Sequence, residues 1–156
     1  MEKLIMITLL DKKIILTKEN EKTNVPLTFE VEEDFTELQI TYSYSPKILE
    51  DREKSKLLIE ENIRTDAGEN FCDYPSWEEF MPLKNLITLS LDSPKGYMGA
   101  AHRQADSQHH IISEDFSSVG FERTEITKGK WTITLNVHAL VTENAECLLK
   151  VGGVKR

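Results

Sequence analysis

Cysteine is scarce in this chain: Cys72 and Cys147 are the only two among 156 residues. Two thiols make no disulfide framework, and both are expected to stay reduced in the cytosol. Long apolar runs are missing too. The N-terminal run before Asp11 is seven residues long and lacks a small-x-small cleavage site, so it reads as a strand and not as a signal peptide. Nothing approaches the ~20 apolar residues of a membrane span, so a cytoplasmic protein with no membrane partner is expected. Positive charge is in deficit, with 19 Lys and Arg against 27 Asp and Glu and a net charge of −8. That excludes a nucleic-acid partner, which needs clustered basic residues. Also absent are a Gly-x-Ser-x-Gly elbow, a phosphate-cradling glycine loop, a dinucleotide fingerprint, internal repeats and low-complexity segments.

What is present is alternation. A 156-residue chain forms one domain, residues 1–156, and buries roughly 70% of its unfolded surface without a disulfide or metal. Residues 4–10 and 13–17 are apolar and split by Asp11-Lys12, which predicts an N-terminal hairpin. Period-two alternation follows over 27–31, 38–44, 87–91, 131–141 and 145–151, with shorter strands expected over 109–113 and 121–126. Between them, residues 46–65 lack glycine and, after Pro46, proline. Ser45-Pro46 reads as an N-cap with proline at the first helical position, and Ile48, Leu49, Leu57, Ile59 and Ile63 recur at helical spacing. Many short strands with one helix predict an all-β fold, an antiparallel β-sandwich of jelly-roll-like form with one α-helical insertion.

Residues 82–151 carry a resemblance. The strand over 86–91, the run Gly96-Tyr97-Met98-Gly99-Ala100-Ala101-His102-Arg103, the pair Gly120-Phe121 and Gly129-Lys130-Trp131 occur in this order, after a similar stretch over 25–44 and Ser45-Pro46. In these residues the chain resembles the β-sandwich domain that precedes the catalytic domain of bacterial PHP-type metal-dependent phosphoesterases, a group of metallohydrolases. In those relatives the catalytic domain opens with an Asp-x-His-x-His sequence. No such motif occurs here, and the chain stops five residues after Val151. The resemblance therefore implies an accessory fold without the catalytic half, and it carries over no catalytic residue.

Four histidines, His102, His109, His110 and His138, with Asp92, Asp106 and Glu114, are the candidate ligands for a divalent metal. Neighbouring His109 and His110 point to opposite faces of a strand, so at most one joins a cluster. His138 alternates with Trp131 and shares its face with Thr134 and Asn136. A polar site of His102, His138 and Asn136 follows if the sheet brings His102 beside that face, and Asp92 would complete a metal set. The competing reading makes these histidines hydrogen-bonded structural or surface residues. Arg103 offers a planar fork for an anionic ligand, or else pairs with one of the acidic residues. Trp77, with Phe71, Tyr74 and Tyr97, is a candidate platform for stacking sugars, or a plug sealing one end of the sandwich. Trp131 belongs to the core, and Cys147 is a buried inert thiol. The function expected is a non-catalytic module binding a protein partner or a small-molecule or carbohydrate ligand, working beside a separate hydrolase. The alternative is a small metal-dependent hydrolase using His102, His138 and one of Asp92, Asp106 or His110. Self-association into a homo-oligomer is a third.

Overall fold

The computed structural model of the chain describes residues 3–67 and 75–156. Its first strand, β1 (Ile5–Thr17), runs unbroken through Asp11-Lys12 where a hairpin was expected. A two-residue hairpin wants glycine or asparagine at positive φ, and Asp-Lys supplies neither. The whole strand instead pairs antiparallel with β8 (Asn144–Lys155), with one irregularity between Thr8 and Leu10. After it, Leu10 and Leu16 face the core.

The remaining strands are β2 (Asn24–Val31), β3 (Glu37–Ser45), β4 (Leu86–Ser93), β5 (Gly96–Ala101), β6 (Ser107–Ser113) and β7 (Gly129–Ala139). They form two four-stranded antiparallel sheets in the orders β1-β8-β3-β6 and β2-β7-β4-β5. Most connections therefore cross from one sheet to the other, and an all-β sandwich results. Inward-facing positions supply its core: Leu38, Ile40 and Tyr42 from β3 against Ile87, Leu89 and Leu91 from β4 and Trp131, Ile133 and Leu135 from β7, all fully buried. Trp131 is core, as its place in the alternation requires.

Residues 121–126 do not form a strand of their own. Phe121 and Ile126 make isolated bridges to Gly99 and Phe35 and are buried. The amide of Ala100 donates to the Gly120 carbonyl at 3.1 Å and that of Glu122 to Met98 at 2.8 Å, so this segment runs along the outer edge of β5. The other edges are blunted differently. β2 carries Pro26, residues 113–118 fold back on β6, and β1 presents Lys12 and Lys13 beside its bulge. Unpaired strand edges invite another chain, and these are the usual ways of closing them.

The helix α1 (Arg52–Ala67) begins six residues later than the expected start at residue 46. Pro46 follows Ser45 through a cis peptide, Ile48 bridges to Lys84, and the Leu49 amide donates to the Leu83 carbonyl at 2.9 Å. The true cap is Asp51, whose Oδ1 accepts from the Lys54 amide at 3.0 Å. Ile59 and Ile63 are buried while Leu57 is exposed, so the helix lays a narrow apolar stripe on the rest of the chain. Gly68, expected to end the helix, and Phe71, Cys72 and Tyr74 lie outside the described residues.

Candidate polar site on an outer sheet face

The outer face of the β2-β7-β4-β5 sheet is built by alternation. On β7, Trp131, Ile133, Leu135 and Val137 point inward, leaving Thr132, Thr134, Asn136 and His138 outward. On β4, Ile87, Leu89 and Leu91 point inward, leaving Thr88, Ser90 and Asp92 outward. Antiparallel register sets Thr88 opposite Asn136, Ser90 opposite Thr134 and Asp92 opposite Thr132.

Two local features bring the histidines together. β7 bulges against β4, with Leu86 opposite Ala139 and Ile87 opposite Val137, which leaves His138 as the extra residue. Such bulges re-aim a side chain. β5 lies on the other side of β4, with Ala101 opposite Leu89, so the next residue, His102, arrives beside Thr88. His138 Nε2 sits 2.9 Å and His102 Nδ1 3.3 Å from Thr88 Oγ1, and Asn136 Nδ2 donates to the same oxygen at 3.5 Å. The two rings meet edge to face with centroids 5.9 Å apart. Both histidines are exposed, whereas Thr88 is only 1% exposed beneath them.

The structure thus brings His102, His138 and Asn136 to one point. It does not bring Asp92 there. Asp92 faces the same way but lies four residues along β4, about 13 Å at ~3.3 Å per residue, and its cross-strand partners are Tyr97 and Thr132. Among the described residues no three His, Cys, Asp or Glu side chains are grouped to hold a metal ion, so the metal set of His102, His138 and Asp92 does not assemble. His110 cannot replace Asp92. It is 1% exposed on the inward face of β6, with its ring edge-on to Phe121 at 5.1 Å. His109, on the opposite face of β6, has Nδ1 3.2 Å from Thr41 Oγ1.

Arg103 points elsewhere, donating to the Val119 carbonyl at 3.3 Å. Trp77 opens a short 3-10 turn, Trp77–Phe80, and its ring is covered by the Arg52 guanidinium at 4.8 Å and the Lys56 ammonium at 5.7 Å, both from α1. These cations occupy the surface on which a sugar would stack.

Two polar residues of consequence escaped the sequence reading. Gln108 Nε2 donates to the Ala105 carbonyl at 2.9 Å, which fixes the amide so that Oε1 accepts from His110 Nε2 at 2.8 Å. His110 Nδ1 is then a bare acceptor, buried without a partner. Burial, reinforced by the charges of Arg103 and His109, pushes this imidazole down to about 4. In the sequence Thr88 is one outward threonine among several, and alternation gives no sign of what will lie above it. Cys147 is a buried free thiol, pushed up to about 11 chiefly by burial, with Glu146 adding and a hydrogen bond from Tyr42 opposing. Burial, with Cys147 nearby, also raises the Tyr42 hydroxyl above its usual range.

No protein-family model matches the chain, and no curated protein matches it. Among the described residues no helix is long and apolar enough to cross a membrane.

Proposed function

We propose that this β-sandwich is a non-catalytic binding module whose ligand seat is the outer face around His102, His138 and Asn136. The observation that carries this reading is the convergence of all three side chains on the Thr88 hydroxyl, made by a bulge on one side and a strand end on the other. Isolated surface histidines are not held in this way. The hydroxyl at the centre lies buried beneath the rings, where it holds them in place but does not meet a substrate. Preorganised polar groups of this kind suit recognition.

The interleaved strand order supports reading the sandwich as an eight-stranded jelly roll, an architecture that lends its sheet faces to ligands. The resemblance to the domain that precedes PHP-type phosphoesterases supports a place beside a separately encoded hydrolase, with the module holding ligand or partner and the enzyme supplying chemistry.

The test is amide-detected NMR of the intact protein against a library of small metabolites, oligosaccharides and peptides. Shifts should gather at His102, His138 and Asn136 and vanish in the His102→Ala, His138→Ala double variant. A library that perturbs only other surfaces, or none, removes this face as the seat. Elemental analysis of untagged protein runs alongside, and near-stoichiometric zinc or manganese lost in the double variant would favour the hydrolase reading instead.

A further inference from the structure

We infer that the ligand of this face is a neutral polyhydroxylated molecule, an oligosaccharide lying along β4 and β7 from the histidine pair toward Tyr97. The inference rests on the binding-module reading and adds the chemistry of what is bound. Thr88 has one hydroxyl proton but two imidazole nitrogens within hydrogen-bonding distance, at 2.9 and 3.3 Å. It gives that proton to one of them. The other must carry its own hydrogen and donate to the Thr88 oxygen, which also receives the Asn136 amide.

In a neutral imidazole one ring nitrogen is a donor and the other an acceptor. Because Nδ1 of one ring and Nε2 of the other face the hydroxyl, the two histidines are locked in the same tautomer, both Nδ1–H or both Nε2–H, whichever way the hydroxyl points. Their remaining nitrogens, His102 Nε2 and His138 Nδ1, belong to exposed residues. One of these nitrogens is an N–H and the other a lone pair.

This donor–acceptor pair selects its ligand. A carboxylate or phosphate offers only acceptors and leaves the lone-pair nitrogen facing another acceptor. An ammonium has the converse fault. A sugar hydroxyl both donates and accepts, and two neighbouring hydroxyls satisfy both nitrogens.

The face continues in the same chemistry. Ser90 and Thr134 form the next cross-strand pair, and Asp92 and Thr132 the one after. Over these rows β4 and β7 carry one formal charge, Asp92, whose carboxylate suits hydroxyl donors. Opposite Asp92 on β5 stands Tyr97, 63% exposed, an aromatic face at the far end of the strip. From Thr88 to Asp92 the strip is about 13 Å long, the reach of a short oligosaccharide. The chain's net charge of −8 further disfavours an acidic polymer.

Nitrogen-15 NMR of the imidazole rings above pH 8 tests the premise without any ligand. His102 and His138 should carry their hydrogens on the same ring position, both on Nδ1 or both on Nε2. In Thr88→Val the enforced match should disappear, and amide spectra report whether that variant is folded. Should it unfold, the wild-type tautomers alone decide, and finding opposite tautomers on the two rings overturns the inference. Titration then uses cellotriose, maltotriose and xylotriose, with trigalacturonate as the charged control. At least one neutral trisaccharide should shift the His102, His138 and Tyr97 signals, trigalacturonate should not, and Tyr97→Ala should weaken binding about tenfold with the tautomers unchanged. Shifts from trigalacturonate alone, or from none of the four sugars, overturn the inference. A non-sugar ligand that still shifts His102 and His138 would leave the binding-module reading standing.

Discussion

The side-chain carbonyl of Asn85 accepts the amide hydrogen of Val141 at 2.7 Å, tying the entrance of β4 to the turn between β7 and β8. Asn85 is fully buried, and the rest of its amide is used as well. Oδ1 also receives the Thr142 amide at 3.5 Å, while Nδ2 donates to the Pro46 carbonyl at 2.9 Å and to Thr142 Oγ1 at 2.8 Å. Asn85→Ala strands several buried partners at once. An unsatisfied buried group costs about 1–3 kcal/mol, so the variant should lose about 3 kcal/mol of unfolding free energy in urea titration. A loss below about 1 kcal/mol would show that water replaces the amide.

Acid should weaken the fold through His110. Its folded value near 4 lies below the ordinary 6.5 of an unfolded histidine, so the unfolded chain binds the extra proton between these values. The contribution is intact above pH 6.5, falls as pH drops through the window, and is fully lost below about 4. Its size is about 3 kcal/mol at ~1.4 kcal/mol per pH unit. Urea midpoints measured from pH 7.5 to 4 should decline in the wild type and decline less in His110→Gln. Parallel curves would assign the acid sensitivity to other groups.

Gly99 stands where no side chain fits. Its φ is +128°, and a Cβ added there would lie 2.0 Å from the carbonyl oxygen of Gly120. Backbone meets backbone at this point, so nothing flexible yields. Gly99→Ala should lose more than 2 kcal/mol and push residues 120–122 off the edge of β5. Gly96, with positive φ but open space around it, should lose less on the same change. Equal losses at both positions would mean that backbone conformation alone, without the close approach, sets the cost.

The Cys147 thiol should be slow to react. It is fully buried in the core and raised to about 11, so at pH 8 little thiolate exists and reagent has no path to it. In a Cys72→Ser background, a disulfide reagent should label the native protein orders of magnitude more slowly than the urea-unfolded chain. Labelling within seconds under native conditions would place Cys147 at the surface.

Alternation made much of this fold legible. Trp131, Ile133, Leu135 and Val137 announce both the strand and its buried side, and the same period puts Asn136 and His138 on one outward face. Where local rules misled, a longer-range partner was responsible. Asp11-Lys12 reads as a turn until β8 supplies a ladder long enough to carry β1 through it. Ser45-Pro46 reads as a helix start, but residues 47–49 pair with residues 83–85 and postpone the helix to Asp51. The candidate site was half legible for the same reason. His138 and Asn136 share a strand, whereas the arrival of His102 depends on the register of β5 and the burial of Thr88 on both rings. Asp92 shares their face, but strand rise carries it away from them.

The pairing of Ile48 with Lys84 bears on engineering. The Leu49 amide reaches the Leu83 carbonyl at 2.9 Å, and the Asn85 amide reaches Lys47 at 2.8 Å. The described residues between, α1 included, are reached through a doorway whose posts are already hydrogen-bonded to each other. A foreign segment whose ends lie close together can be grafted at that doorway with little loop-closure entropy added. The chain is thereby a scaffold with a built-in port.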